Sequence, residues 1–329
     1  RAAWVAAWRG LGERLAAQGE AEAARGMRTA AARRHLRAAG SFFTAERMTP
    51  HTGPDKLPIY RAMTESFRRG VTLRDEPVEF VEVPFGPHRL PALFHRAPGE
   101  GPRPAMIHFD GFDVTKEWIH LVRVPHELAR HGVSTLIVDH PGVGGALRLL
   151  GLPTSARTEE WASASLDYLA RRGDVAMDRV GVMAMSLGGY YAPRAAAFEP
   201  RLACCVAWGA RWDNALSHGR MLEDPGAARS VSGWVEHAMW VYGTSTIGET
   251  RARIAEMTLE GIAARIRCPL LVVHGANDRQ VPLDQAERTV AEAVNSPRRD
   301  LRIFTREEGG AEHCQGDLFS AAVDHMADW

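Results

Sequence analysis

The stretch Gly181-Val182-Met183-Ala184-Met185-Ser186-Leu187-Gly188-Gly189-Tyr190-Tyr191 decides how the rest of the chain is read. An apolar run ends on a single Ser and is followed at once by small residues and a helix-forming Ala/Arg segment. A strand that turns directly into a helix at a Ser forces that Ser into a strained backbone conformation, and its neighbours must be small. Gly188 and Gly189 meet the demand after the Ser, and Ala184 stands two residues before it, so the pentapeptide reads Ala-x-Ser-x-Gly. Such pentapeptides arise by chance in a chain with 31 glycines. The surrounding pattern has to decide.

Outward from this turn, short apolar runs alternate with helical periodicity. Strand candidates are Met106 to Phe109, Thr135 to Val138, Val180 to Met185, Ala203 to Ala207, Leu270 to Val273 and Leu301 to Phe304. Helices are expected at 117–131, 158–172, 187–198, 283–295 and 316–329. This alternation predicts an α/β fold with a mostly parallel sheet, helices on both faces, and ligands at the carboxyl ends of the strands. Val78 to Val83 and Leu90 to His95, separated by Gly86-Pro87, read as an antiparallel hairpin in front of it. Before that the periodicity is helical: Trp4, Trp8, Leu11 and Leu15 fall on one face, and Met27, Ala31, Leu36 and Phe43 on another. A third helix should carry Tyr60, Met63 and Phe67. The roughly 60 residues between the strands near Trp208 and Pro269 exceed an ordinary connection, and their Trp and Gly content reads as an inserted helical lid. The expected organisation is an N-terminal helical cap segment over 1–75, a core over 76–213 and 263–329, and the lid over 214–262.

Composition narrows the function. Forty basic and forty acidic residues give a formal net charge of zero, which offers nothing to a polyanion, so neither nucleic acid nor a membrane surface is an expected partner. The four cysteines, Cys204, Cys205, Cys268 and Cys314, form no Cys-x-x-Cys pair and read as reduced thiols, which suits a cytoplasmic protein. The apolar runs are strand-sized and the start shows no signal-peptide pattern. No metal-ligand spacing, phosphate-cradling loop or dinucleotide fingerprint is present, so no cofactor and no metal are expected.

Chemistry must come from side chains. A Ser hydroxyl near neutral pH needs a His to take its proton and an acid to orient that His, and in this kind of sheet the order along the chain is Ser, acid, His. Asp278 ends Leu270-Leu-Val-Val-His-Gly-Ala-Asn-Asp278, and His313 lies in Gly309-Gly-Ala-Glu-His313-Cys-Gln after the last strand. Ser186, Asp278 and His313 are therefore the candidate catalytic set. Oxyanion donors are expected at the N–H of Leu187, where the helix start favours negative charge, and at Phe112, just beyond Asp110-Gly111. Asp139 reads as a loop-fixing residue or a substitute acid. Asp113, Lys116, Asp213 and Trp234 are candidates for the substrate side.

Several stretches together carry a resemblance. Arg28-Thr-Ala-Ala-Ala-Arg-Arg-His-Leu-Arg37, Phe109-Asp-Gly-Phe-Asp-Val-Thr-Lys-Glu117, Ser186-Leu-Gly-Gly-Tyr-Tyr-Ala-Pro-Arg194 and the His313 loop resemble one branch of the α/β-hydrolase superfamily. The branch holds 2,6-dihydroxypseudooxynicotine hydrolase, fungal polyketide-shortening hydrolases of pigment pathways, and fermentation–respiration switch esterases. The resemblance covers nearly the whole chain and implies a capped core with a lid, no cofactor, and often a homodimer. Ser186, Asp278 and His313 match the branch's triad positions. Its additional acidic substrate-orienting residue has no motif here by which to be placed, and Asp213 is a guess for it. The implied reaction is hydrolysis of a C–C bond next to a ketone in a β-dicarbonyl, aromatic or polyketide-type small molecule of secondary metabolism or aromatic catabolism. An esterase, thioesterase or acyl-transferring cyclase would use the same triad, and a binding or regulatory protein on this scaffold is the alternative without catalysis.

Overall fold

The computed structural model describes residues 1–329. By contacts the chain separates into two compact units, one of Arg1–Val78 with Ser230–His237 and the other of Glu79–Arg229 with Ala238–Trp329. The first contains α1 (Ala2–Ala24), α2 (Arg28–Arg47) and α3 (Lys56–Arg74). The apolar stripe of α2 is Ala31, Ala32, His35, Ala38, Ala39, Phe42 and Phe43, all buried, whereas Met27 is exposed. Helix α1 departs further from expectation. Trp4 is half exposed, and the only fully buried residues of the helix are Gly12 and Gly19. A Cβ at Gly12 would lie 2.7 Å from the Phe42 ring, and one at Gly19 would lie 2.7 Å from the His35 ring. The closest approaches of the two helices are at absent side chains, so the apolar periodicity of Trp8, Leu11 and Leu15, all partly buried, marks the contact face only in part.

The second unit runs β1 (Val78–Phe85), β2 (His88–His95), β3 (Arg103–Phe109), α4 (Lys116–Leu121), α5 (Val124–Arg130), β4 (Ser134–Val138), α6 (Gly144–Leu150), α7 (Glu159–Ala170), β5 (Val175–Met185), α8 (Gly188–Phe198) and β6 (Cys205–Trp208). It continues with α9 (His218–Glu223), α10 (Trp234–Tyr242, whose first four residues group with the other unit), α11 (Ile247–Ala255), β7 (Leu270–Gly275), α12 (Leu283–Glu292), β8 (Arg299–Phe304) and α13 (Phe319–Asp328). The expected helix 117–131 is two helices because Pro125 cannot continue a preceding turn, and Arg123 takes a left-handed conformation (φ 71°) at the break. Helix α6 escaped the reading because it opens on Gly144-Gly145, poor helix formers.

One eight-stranded sheet has the order β1-β2-β4-β3-β5-β6-β7-β8. From β4 to β8 every neighbouring pair is parallel, and β2 runs antiparallel to β4. Helices cover both faces. The central strands β4, β6 and β7 are buried at every position, as two-sided cover requires, and they read as unbroken apolar runs for that reason. Parallel pairing has one consequence for function. The carboxyl ends of β3, β5, β6, β7 and β8 emerge along a single edge, with Ala184 in register with Phe109 on one side and Ala207 on the other.

Candidate active site

Ser186 follows β5 at that edge with φ 63°, one of five non-glycine residues with positive φ. Strain of this kind costs on the order of 1–3 kcal/mol and persists only where the surroundings impose it. Here they do. The Ser186 N–H donates to the Trp208 carbonyl at 2.8 Å, and the Gly189 N–H to the Ser186 carbonyl at 2.8 Å. A Cβ on Gly189 would stand 2.2 Å from the Gly209 carbonyl oxygen, so α8 rests directly on the chain leaving β6. A Cβ on Gly188 would stand 2.6 Å from that of Ala184. Ala184 is accommodated because Gly188 has no side chain.

The Ser186 Oγ is 2.8 Å from His313 Nε2, and His313 Nδ1 is 2.7 Å from Asp278 Oδ2. Asp278 is oriented by its own turn: Oδ1 accepts the N–H groups of Gln280 at 2.8 Å and Val281 at 2.9 Å. The loop that carries His313 is pinned by Asp317, whose carboxylate accepts the N–H groups of Gly310, Ala311 and Glu312. It lies so close to the end of β7 that a Cβ on Gly275 would reach 2.3 Å from the Ala311 carbonyl oxygen. Burial pushes the Asp278 carboxyl up, but His313 with its hydrogen bond, His274 and the Val281 N–H outweigh it and hold the group at about 2. Burial opposes a charge on His313, but neighbouring Cys314 and Asp278 outweigh it and raise the ring to about 10. An ionised carboxylate behind a basic imidazole behind a hydroxyl is an arrangement able to move a proton off Ser186.

The loop after β3 passes against the same residue. A Cβ on Gly111 would be 2.8 Å from the Ser186 Cβ and 2.9 Å from the Met185 carbonyl oxygen, which brings Phe112 next to the elbow. Leu187 is the residue before α8 and is fully buried. The Phe112 ring stands edge-on to His218, with centroids 4.6 Å apart. Asp113 is buried in the same loop. Asp139 fixes this loop: Oδ1 accepts the Lys116 N–H at 3.0 Å, while Oδ2 meets Lys116 Nζ and the Gly145 N–H, each at 2.7 Å. Lys116 Nζ also meets Glu117 at 2.6 Å, so Lys116 sits in a buried ion cluster. Asp213 caps the short turn after β6, accepting the Ala215 N–H at 2.8 Å. Trp234 is buried and groups with the unit that contains the N-terminal helices.

Two residues near the triad carry no site reading in the sequence: Cys314 reads there only as a reduced thiol, and Arg211 is not singled out. Cys314 Sγ is 3.6 Å from His313 Nε2. Arg211 is fully buried just past the end of β6. The rule that singled out Asp278, a polar residue shortly after an apolar strand, also applied to Gly209-Ala210-Arg211.

A mostly parallel eight-stranded sheet with a serine elbow after β5 is the α/β-hydrolase fold, and the comparisons agree. Residues 162–317 match the prolyl oligopeptidase family. The chain is 30% identical over 271 residues to 2,6-dihydropseudooxynicotine hydrolase of Paenarthrobacter nicotinovorans, covering 80% of this chain and 67% of that protein. It is 28% identical over 372 residues to a 20-hydroxy-prefusarin hydrolase of Gibberella moniliformis, covering 99% and 86%. The crystal structure of 2,6-dihydroxy-pseudo-oxynicotine hydrolase superimposes with a TM-score of 0.83 at 27% identity, covering 99% of this chain and 87% of that one. This chain belongs to the α/β-hydrolase superfamily and is a hydrolase. No helix is long and apolar enough to cross a membrane.

Proposed function

We propose that the protein is a serine hydrolase that cleaves a C–C bond next to a ketone in a β-dicarbonyl, aromatic or polyketide-type small molecule. The observation that carries the serine mechanism is the unbroken relay Ser186 Oγ, His313 and Asp278, at 2.8 and 2.7 Å, on a strained elbow. The choice of bond is supported by likeness to 2,6-dihydropseudooxynicotine hydrolase and to the prefusarin hydrolase. A complete relay also counts against a purely binding role.

In this reading His313 Nε2 takes the Ser186 proton as Oγ attacks the ketone carbon, and Asp278 holds the ring and its developing charge. The backbone N–H groups of Phe112 and Leu187 receive the tetrahedral oxyanion; losing one such donor costs roughly 100 to 1,000-fold in turnover. Collapse breaks the C–C bond, and His313 returns the proton to the departing carbon. Water then releases the acid from Ser186. The organisation proposed for the chain is an N-terminal helical cap segment over 1–75 and a lid over 214–262, with Asp113 on the substrate side.

Ser186→Ala is the test. Turnover of benzoylacetone should fall by about three orders of magnitude or more, and fluorophosphonate labelling of the protein should vanish. Undiminished turnover by the variant would falsify the covalent route.

A further inference from the structure

Arg211 is 0% exposed, and its guanidinium is underused. One nitrogen, Nη1, donates to Asn214 Oδ1 at 2.8 Å. Nε and Nη2, the two donors on one side of the planar fork, have no partner, and no carboxylate forms an ion pair with the group. A buried guanidinium without a counter-anion, with two of its donors idle, is a costly thing to keep. Burial accordingly draws it down from its ordinary range.

Its position explains the cost. Ser186 N–H is bonded to Trp208 at the end of β6, and a Cβ on the next residue, Gly209, would lie 3.7 Å from Ser186 Cα, so the chain reaches Arg211 straight from the nucleophile. The groups near enough to act electrostatically on Arg211 include Asp278, which is bonded to His313, and Cys314, which is 3.6 Å from His313 Nε2. Asn214 is held in turn: its Nδ2 donates to the Tyr242 hydroxyl at 2.8 Å, that hydroxyl is 2.9 Å from His218 Nδ1, and His218 packs on Phe112. Arg211 is thereby joined through Asn214, Tyr242 and His218 to Phe112, whose loop is proposed to supply an oxyanion donor.

We propose that Arg211 is a second oxyanion site, reserved for the enolate oxygen that forms when the C–C bond of a 1,3-dicarbonyl substrate breaks. The proposal rests on the serine hydrolase reading above and deepens it. When the tetrahedral centre on Ser186 collapses, the electron pair of the C–C bond moves to the α-carbon and onto the oxygen of the second carbonyl. The protonated His313 then delivers its proton to that carbon, giving a ketone, and one water hydrolyses the acyl-serine to an acid. An ester needs one oxyanion site because its leaving oxygen is protonated directly, whereas a 1,3-dicarbonyl needs two. A planar cation with idle side-on donors is suited to the second, since charge builds there only as the bond breaks.

The test compares benzoylacetone with p-nitrophenyl acetate on the full chain, using Arg211→Gln and Arg211→Lys. The Gln variant should lose at least 100-fold in kcat on benzoylacetone, with a much smaller loss on the ester and with fluorophosphonate labelling of Ser186 retained. Lys, which keeps the charge but not the fork, should recover part of the diketone activity. In the Ser186→Ala background, ionised dimedone should bind at least tenfold more weakly once Arg211 is Gln. Equal losses on both substrates, no loss on either, or tight binding of benzoate in place of dimedone would overturn the role given to Arg211. Turnover that survives Ser186→Ala would instead overturn the serine reading, so the two failures are separable.

Discussion

The elbow at Ser186 and the helix pair α1–α2 both depend on side chains that are not there, and they differ in what occupies the space. A Cβ on Gly189 would meet backbone, the Gly209 carbonyl oxygen at 2.2 Å and Ala210 Cα at 2.8 Å. The three atoms nearest a Cβ on Gly12 all belong to the Phe42 ring, at 2.7 to 2.9 Å. A ring can turn away at modest cost. The backbone leaving a fully buried strand cannot move without breaking the bond between Ser186 N–H and Trp208. The same device is thus rigid where geometry must be held for chemistry and forgiving where two helices merely touch.

The sharpest way to break the comparison is Gly189→Ala. It should cost about 3–5 kcal/mol, at the extreme end of single substitutions, and displace Ser186 from His313. Chemical denaturation and fluorophosphonate labelling would both report it. A variant with normal stability and labelling would show that the elbow has slack the structure does not display.

This difference also governs what could be read from the chain. The elbow and Asp278 were legible as local patterns, an apolar strand with a polar residue at or soon after its carboxyl end, whereas His313, well past the end of β8, was picked out by the chain order Ser, acid, His. The sheet was legible as a local pattern too, since β4, β6 and β7 are buried on both faces and so are continuously apolar. The face of α1 was legible only in part: Trp8, Leu11 and Leu15 are partly buried on it, but its buried positions are Gly12 and Gly19, and no hydrophobic period marks a glycine. Arg211 was legible only as a polar residue shortly after an apolar strand. A lone Arg in a sequence with many gives no sign that it will be buried without an anion, and only three-dimensional accounting of its donors shows that.

The loop after β3 stands between these extremes, held by buried charge as well as by the close contact at Gly111. Asp139→Asn would remove one carboxylate charge from the buried cluster around Lys116 Nζ, which also meets Glu117. The expected destabilisation is about 3 kcal/mol, the scale of breaking a buried pair, together with a fall in turnover as Phe112 loses its position. Thermal unfolding with and without the substitution checks the first, and kcat the second. A neutral result would place the loop with the forgiving contacts.

His313 offers a finer probe of the rigid region. In the proposed mechanism it accepts the Ser186 proton only when neutral, so activity should be lost as pH falls through its folded-state value. That value is raised to about 10, so the acid limb of kcat/KM should lie well above the ordinary histidine value of about 6.5. Because Cys314 contributes to the rise, Cys314→Ala should shift this limb to lower pH with little change in the plateau. The stability that His313 gains from its raised value is present in full below about 6.5 and is lost as pH rises through about 10. For Asp278, held at about 2, it is present above about 3.9 and lost as pH falls through the folded value. An acid limb unmoved by Cys314→Ala would mean that the thiol does not act on the imidazole.

The smallest effect is the most discriminating, because two opposing terms nearly cancel. Gly12→Ala gains roughly 0.8–1 kcal/mol of helix propensity but pushes a methyl into the Phe42 ring, an overpacking cost of about 1–3 kcal/mol. The net should be a destabilisation of about 1 kcal/mol. Gly40→Ala, in the middle of α2, meets nothing within 4 Å, so the propensity gain should appear alone as a stabilisation of roughly 0.5–1 kcal/mol. Denaturant midpoints measured on both variants give the difference between them, which isolates the cost of moving the Phe42 ring. If Gly12→Ala also stabilises, the ring moves freely and the α1–α2 contact is looser than its 2.7 Å approach implies. If it destabilises as much as Gly189→Ala, the ring is as fixed as a backbone, and the contrast between the two regions disappears.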